Sequence, residues 1–297
     1  MRYTLNLAFI PPQNYLRAAR SAEELGFDTI GISDSVFFPR DTSSKYPYND
    51  DGGRAHFENA PFLDAFSIIP AMAAVTERIE FLPCVLKLPI RPPVVTAKLV
   101  MSTAVISNDR FKLGVGTSPW PEDYEATQIP WERRGHRLEE QIAIIRGLVA
   151  GGYHEFHGEF YDYAPIKMLP VPSRPVPILT GGHAPLALRR AAALGDGWIA
   201  PATGVSVERL GEMIEYIADH RRTLGRDGEP FEIHASYDVT PDKDRTAILD
   251  GIGQLEALGV TDVRIALRGR APEPDPDVAL KVLTDDAARF SEQIIRG

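Results

Sequence analysis

The stretch 175–201, PVPILTGGHAPLALRRAAALGDGWIAP, reads as a strand, a turn, a helix and the start of a second strand. Val176 to Leu179 is a short apolar run of strand type, and it ends in Thr180-Gly181-Gly182. Pro185 falls in the first turn of the helix that follows and Gly195 closes it, since Pro needs no amide partner at a helix start and Gly tolerates the conformation past its end. Trp198 opens the next strand. Two glycines between strand and helix remove the Cβ atoms that would hold another group off the backbone amides. Those amides point away from the positive end of a helix. The turn therefore reads as a phosphate cradle or, equally, as no more than a tight β-to-α connection.

The same alternation extends to both sides. Strand-type segments fall at Tyr3 to Ile10, Thr29 to Ser33, Ile79 to Leu86 and Phe111 to Val115, then, beyond the central unit, at Phe231 to Val239 and Asp262 to Leu267. Helix-type segments lie between them, such as Tyr15 to Leu25 stopped by Gly26, and Arg134 to Ala150 with Leu138, Ile142, Ile145 and Val149 on one face. With the two strands of the central unit this makes eight strands, each followed by a helix. Repeated βα units imply a parallel sheet, and eight of them predict an α/β fold of the closed (β/α)8 TIM-barrel type. No linker interrupts the pattern, so residues 1–297 are expected to form a single domain. Insertions follow the second strand (Ser35 to Leu63) and the fourth helix (Tyr153 to Met168, a hairpin or irregular excursion). Loops after barrel strands lie on the catalytic face, so the first insertion is expected to roof the site. Its aromatics and Lys45 are candidates for substrate contact.

Composition excludes several classes of function. A chain of 297 residues with 44% hydrophobic and 25% charged content is ordinary globular material. Its net charge of −9 argues against a nucleic-acid or anionic-membrane partner, both of which need a basic face. No apolar run has membrane-spanning length, and the N-terminal MRYTLNLAFIPPQ has no signal-peptide pattern. The single cysteine, Cys84, rules out an internal disulfide and fits a reducing cytoplasm.

Residues at the expected strand ends are Asp34, Pro83-Cys84, Gly116-Thr117-Ser118, Gly181-Gly182-His183 and Pro201-Ala202-Thr203. They include no carboxylate pair at acid/base spacing and no nucleophile elbow. His154 and His157 are three residues apart, but they sit in the second insertion among Tyr and Glu, and a solvated excursion explains them better than a metal site. No metal is expected. Small residues, amides and hydroxyls suit holding a large flat cofactor that brings its own chemistry.

At this point five segments resemble the luciferase-like monooxygenase superfamily, and within it the branch using the deazaflavin coenzyme F420. They are AEELGFDTIGISDS (22–35), AAVTERIEFLPCVLKLPIRPPVVTAK (73–98), ISNDRFKLGVGTSPW (106–120), WERRGHRLEEQ (131–141) and PILTGGHAPLALRRAAALGDGW (177–198). The loop PRDTSSKYPYNDDG (39–52) is similar to that of the F420-dependent enzymes. The resemblance implies a bacterial-luciferase-like barrel, usually a homodimer, with the flavin or deazaflavin across the strand C-termini. It places a bulge behind the ring at Leu82-Pro83-Cys84-Val85, phosphate contacts at Gly181 and Gly182 with His183 beside them, Thr117 near the cofactor side chain and Asp34 near the ring edge. Pro83 also has a plainer reading as the end of ladder pairing.

One departure bears on mechanism. Many F420-dependent members carry a His after that Asp, where this chain has Ser35, and a serine does not titrate near neutral pH. His56 in the roof loop becomes the acid/base candidate beside Asp34 and Ser35. Arg134 and His136 are expected to support their helix through Glu139 or Glu140. Trp198 is expected to pack the barrel, and His234 to be a satisfied structural histidine. The expected function is a cytoplasmic F420-dependent oxidoreductase that passes a hydride between the deazaflavin and a small organic substrate. An FMN-dependent two-component monooxygenase is the alternative, followed by a non-catalytic flavin- or deazaflavin-binding homologue and a barrel enzyme gripping a phosphorylated metabolite at Gly181-Gly182.

Overall fold

Parallel strands and outer helices follow one another along the chain in the computed structural model, which describes residues 1–42, 44–46, 52–267 and 275–297. The strands are β1 (Arg2–Leu7), β2 (Thr29–Ile32), β3 (Glu80–Pro83), β4 (Leu86–Lys87), β5 (Leu113–Gly116), β6 (Tyr153–His157), β7 (Asp162–Lys167), β8 (Ile178–Gly181), β9 (Gly197–Ile199), β10 (Glu232–Val239) and β11 (Asp262–Leu267). The helices are α1 (Tyr15–Glu24), α2 (Ala65–Ala73), α3 (Pro93–Ile106), α4 (Pro121–Ala126), α5 (Arg134–Val149), α6 (Pro185–Leu194), α7 (Val207–Thr223), α8 (Arg245–Ala257) and α9 (Pro276–Phe290).

Nine strands form one sheet in the order β3-β2-β1-β11-β10-β9-β8-β5-β4. β3 and β4 are two halves of one barrel strand, and this closes the ring. Phe81 of β3 accepts from Lys112 and donates to the Arg110 carbonyl just before β5 (2.9 and 2.8 Å), while Leu86 of β4 pairs with Val115 of β5. The result is the expected (β/α)8 barrel. Leu5, Leu7, Ile30, Ile32 and Phe81 point outward from their strands and are at most 2% exposed in the layer beneath the helices. Inside the barrel Thr4, Asn6 and Cys84 converge on Gly31, where a Cβ would lie 3.1–3.4 Å from all three.

The expected continuous strand from Ile79 to Leu86 is broken. Pro83 brings no ladder amide, and the chain leaves the sheet at a cis Cys84–Val85 peptide before pairing again as β4. The first strand stops at Leu7 instead of Ile10, because Phe9 adopts a left-handed φ of 62° and two prolines follow. The second insertion is a hairpin of β6 and β7, and its tip is fastened to α5: Glu140 accepts from the amides of Glu159, Phe160 and Tyr161 at 2.7–3.2 Å. His154 pairs with Tyr163 (2.8 Å) and His157 with Asp162 (3.1 Å) within that hairpin. Residue 43 and residues 47–51 of the roof loop lie outside the described residues. No helix among the described residues is long and apolar enough to cross a membrane.

Candidate active site

A cleft of about 360 Å³ opens where the C-terminal ends of β2, β4, β5 and β8 meet, beneath the described part of the roof loop. Barrel strands deliver their side chains here because the βα turns all emerge at this end. Its floor is Val85, which follows the cis peptide. Alanine at Gly116 would bring a Cβ 2.6 Å from one Val85 methyl, and at Gly181 a Cβ 2.9 Å from the other. The two glycines thus leave the space that Val85 fills, and a flat group can lie on a surface without projecting side chains.

One end of the cleft is suited to an anion. Gly182 has φ of 119°, a conformation that glycine adopts readily, and its carbonyl accepts from the Trp198 indole at 2.8 Å. Trp198 is fully buried and braces this turn from behind. The α6 amides and exposed His183 border the same end. Arg134 lines the cleft as well, which corrects the expectation for this residue. Glu139 pairs with Arg190 (3.0 Å) and Glu140 holds the hairpin, so neither engages Arg134. Arg134 instead lies 3.5 Å over the Trp131 ring and lines the cleft, and burial lowers its pKa. His136 is exposed.

At the opposite end Asp34 and Ser35 leave β2. The Asp34 side chain is 2% exposed, and its oxygens are taken by Arg91 (3.0 Å) and the Lys87 amide (2.9 Å). Burial raises its pKa, with Arg91 and Lys87 opposing. The carboxylate ties the end of β2 to the segment after the bulge. Ser35 donates to the Phe37 carbonyl at 3.3 Å. Cys84 is half-buried on the cleft floor and its Sγ approaches the Leu82 carbonyl (3.4 Å). Pro83 is buried, with its carbonyl 2.0 Å from where a Gly114 Cβ would stand. Thr117 lines the cleft and accepts from Tyr124 through its carbonyl. His56 is exposed, stacks at 3.9 Å on Phe57, and is not among the cleft-lining residues.

One wall of the cleft was not read from the sequence as a site. Lys87 Nζ stands 2.8 Å from Asp123, whose carboxylate also accepts from Ser118 Oγ at 2.5 Å. Lys87 (4.3 Å) and Arg54 (4.7 Å) both lie over the Trp120 ring, and Arg54 is held by Glu122 at 3.2 Å. Tyr46 and Phe57 from the roof loop lean on Trp120 at 6.1 and 5.7 Å, and Phe62 adds a third roof aromatic to the cleft. The available signal was one lysine inside the apolar run VLKLPI, where a buried ammonium must find a partner. Lys45 of the same loop is exposed.

A second group of ligand-type side chains lies at the N-terminal end of the barrel. Glu232, His234 and Asp262 bring ligand-type atoms within 4.8 Å of one another. Lys112 (2.6 Å from Glu232) and Arg2 (3.1 Å from Asp262) already supply positive charge there, and His234 is fully buried with Nε2 2.8 Å from Glu232.

This architecture is that of the luciferase-like monooxygenases, and the chain belongs to that family, whose profile matches residues 3–283. An uncharacterised protein of Mycobacterium tuberculosis is 42% identical over 99% of both chains. The F420-dependent glucose-6-phosphate dehydrogenase of Amycolatopsis mediterranei is 27% identical over 78% of this chain and 67% of its own. Among solved structures, an F420-dependent secondary alcohol dehydrogenase with an F420–acetone adduct has TM-score 0.75 at 16% identity, covering 99% of this chain and 98% of its own. A type II Baeyer–Villiger monooxygenase from Pseudomonas putida in complex with FMN has TM-score 0.75 at 14% identity, with the same coverage. At these identities the structural likeness is one of fold.

Proposed function

We propose that this protein is an F420-dependent oxidoreductase that moves a hydride between the deazaflavin and a small organic substrate. The observation that carries the reading is the cleft itself: a floor made by Val85 between the bare backbones of Gly116 and Gly181, an anion-suited turn at Gly182, and Arg134 in the lining. Its shape fits a flat ring joined to a phosphate, and the F420-dependent relative favours the deazaflavin among such cofactors. When bound, that cofactor supplies a carbon centre that takes or gives two electrons as hydride.

The chain's own residues then divide the remaining work. Gly181 and Gly182 amides with the Arg134 guanidinium hold the phosphate, in charge-assisted contacts that fix the cofactor's position. Val85 backs the ring, with Cys84 beside it and Thr117 along the cofactor's side chain. Asp34 positions the floor through Arg91 and the Lys87 amide. Tyr46, Phe57, Phe62 and Trp120 close the cleft against water. The proton that accompanies hydride transfer is held at Lys87 Nζ, backed by Asp123, because Ser35 cannot titrate and His56 stands outside the lining. The reading includes a cytoplasmic homodimer.

The FMN-dependent alternative rests on the fold shared with the FMN-bound monooxygenase. Titrating the cofactor-free protein with F420 and with FMN, and following quenching of cofactor fluorescence, separates the two. Micromolar or tighter F420 binding with weaker FMN binding is expected. Tight FMN binding with none for F420 would replace the first reading by the second, and no binding of either would sink both.

A further inference from the structure

Beneath the cleft floor lies a charged group that the reading above does not use. Arg264, on β11, is 4% exposed and points into the barrel. Its Nη2 donates to the Ala200 carbonyl, its guanidinium lies near enough to Cys84 to act on the thiol electrostatically, and its Nε–H has no partner. Among the described residues no carboxylate forms an ion pair with it. Glu80, Glu232 and Asp262 at the N-terminal end of the barrel are engaged by Arg2 and Lys112, and Asp34 by Arg91.

A guanidinium stays charged in proteins, and burying one without a counter-charge is costly. The cost is not offset by solvent, because Leu82, Leu179 and Ile199 form an apolar cluster in the barrel on which Cys84 and Val85 pack. In such surroundings a charge is felt over several ångströms with little screening. Cys84 is part of the cleft floor, so the charge of Arg264 reaches the cleft beside that thiol.

We propose that Arg264 is an electrostatic positioning residue: from beneath Cys84 it sets a positive potential on the cleft floor that favours flat ligands carrying delocalised negative charge over neutral ones. Applied to the cofactor, and there resting on the function proposed above, it stabilises the ring in its anionic ionisation state. The other charged or titratable groups lining the cleft are Asp34, Tyr46, Cys84, Lys87, Arg134 and His183. Of these Cys84 lies in the floor, and Arg264 is the charged group beneath it.

The single cysteine makes the potential measurable without any cofactor. Alkylation of Cys84 by anionic iodoacetate is compared with alkylation by neutral iodoacetamide, in the folded protein and in the same chain unfolded in urea. The folded protein is expected to raise the iodoacetate-to-iodoacetamide rate ratio at least fivefold over the unfolded chain, despite a net charge of −9. Arg264→Gln, which removes the charge and keeps a hydrogen-bond donor, is expected to lower that ratio about tenfold, and Arg264→Lys to retain most of it. A folded ratio at or below the unfolded value overturns the proposal, even if Arg264→Gln does not fold. So does an unchanged ratio in a folded Arg264→Gln protein. With cofactor added, the ring's ionisation followed by absorbance is expected at least one pH unit below its free value, moving back in Arg264→Gln. If neither F420 nor FMN binds, the function reading falls, and the alkylation ratio still decides the role of Arg264.

Discussion

Arg134 and Lys87 both line the cleft, and the proposed function gives binding to the first and chemistry to the second. Among the described residues Arg134 has no carboxylate partner, so its removal leaves their ion pairs intact and takes one charge-assisted contact from a phosphate, worth roughly 1.5–3 kcal/mol. Arg134→Ala is therefore expected to weaken a phosphate-bearing cofactor by about ten- to a hundredfold, and the phosphate-free ring compound hardly at all. Fluorescence titration with FMN and riboflavin, or with F420 and its dephosphorylated core, measures this. Equal losses for both would show that Arg134 does not meet the phosphate. Lys87→Met should do the converse, lowering kcat by about 10²–10⁴-fold with cofactor affinity within twofold. Retained kcat would take the proton from Nζ. Arg134 lies in a recognised segment, yet helix spacing points it to Glu139 or Glu140, because a sequence does not show that Arg190 from α6 takes the first carboxylate and the hairpin amides the second.

Among the elements, α3 shows most plainly what neighbours decide. Its sequence PVVTAKLVMSTAVI is apolar on every side, the pattern of a helix buried all round. One face, with Thr96, Ala97, Val100 and Met101, packs onto the barrel, while Val95, Leu99, Val105 and Ile106 are 38–57% exposed. An outer face of that composition is the natural contact for the homodimer included in the proposed function. Light scattering after size exclusion is expected to give twice 32.8 kDa for the wild type and 32.8 kDa for Leu99→Glu/Ile106→Glu. A wild-type monomer at micromolar concentration, or a double variant that still pairs, would remove this face from the interface. The third barrel strand carries a related lesson: its apolar run from Ile79 to Leu86 looked continuous, and only the ring of neighbours shows where pairing stops and resumes.

The whole barrel is sealed at its N-terminal end by charge. Arg2, Glu80, Lys112, Glu232, His234 and Asp262 come from five separate strands or strand starts and meet in one network. Burial by itself would raise the Glu232 pKa, but the hydrogen bond with His234 and the Lys112 ammonium outweigh it and bring it down to about 2, from an ordinary 4.5. A carboxylate depressed on folding contributes stability that is complete above its unfolded pKa and is lost as pH falls through its folded one. The window therefore lies between about pH 4.5 and 2. Urea unfolding of wild type and Glu232→Gln should show the wild-type advantage shrinking by about 1–2 kcal/mol from pH 6 to pH 3. A gap that stays constant across this range would place the network's contribution elsewhere.

What the sequence by itself determined is the order of strands and helices and the Gly-Gly turn at 181–182, because these depend on hydrophobic period and on backbone freedom, both local properties. From that alternation followed the barrel, and from the barrel the end at which Asp34, Cys84, Thr117 and Gly181 would gather. Only the tertiary structure decided which side chains face one another across that end. Lys87 meets Asp123, Arg134 turns to the cleft, and Arg264 comes to lie by Cys84 from a strand far along the chain. Such pairings depend on distance through space, and inside a low-dielectric barrel each charge settles by its nearest partner. Spacing along the chain does not carry that information.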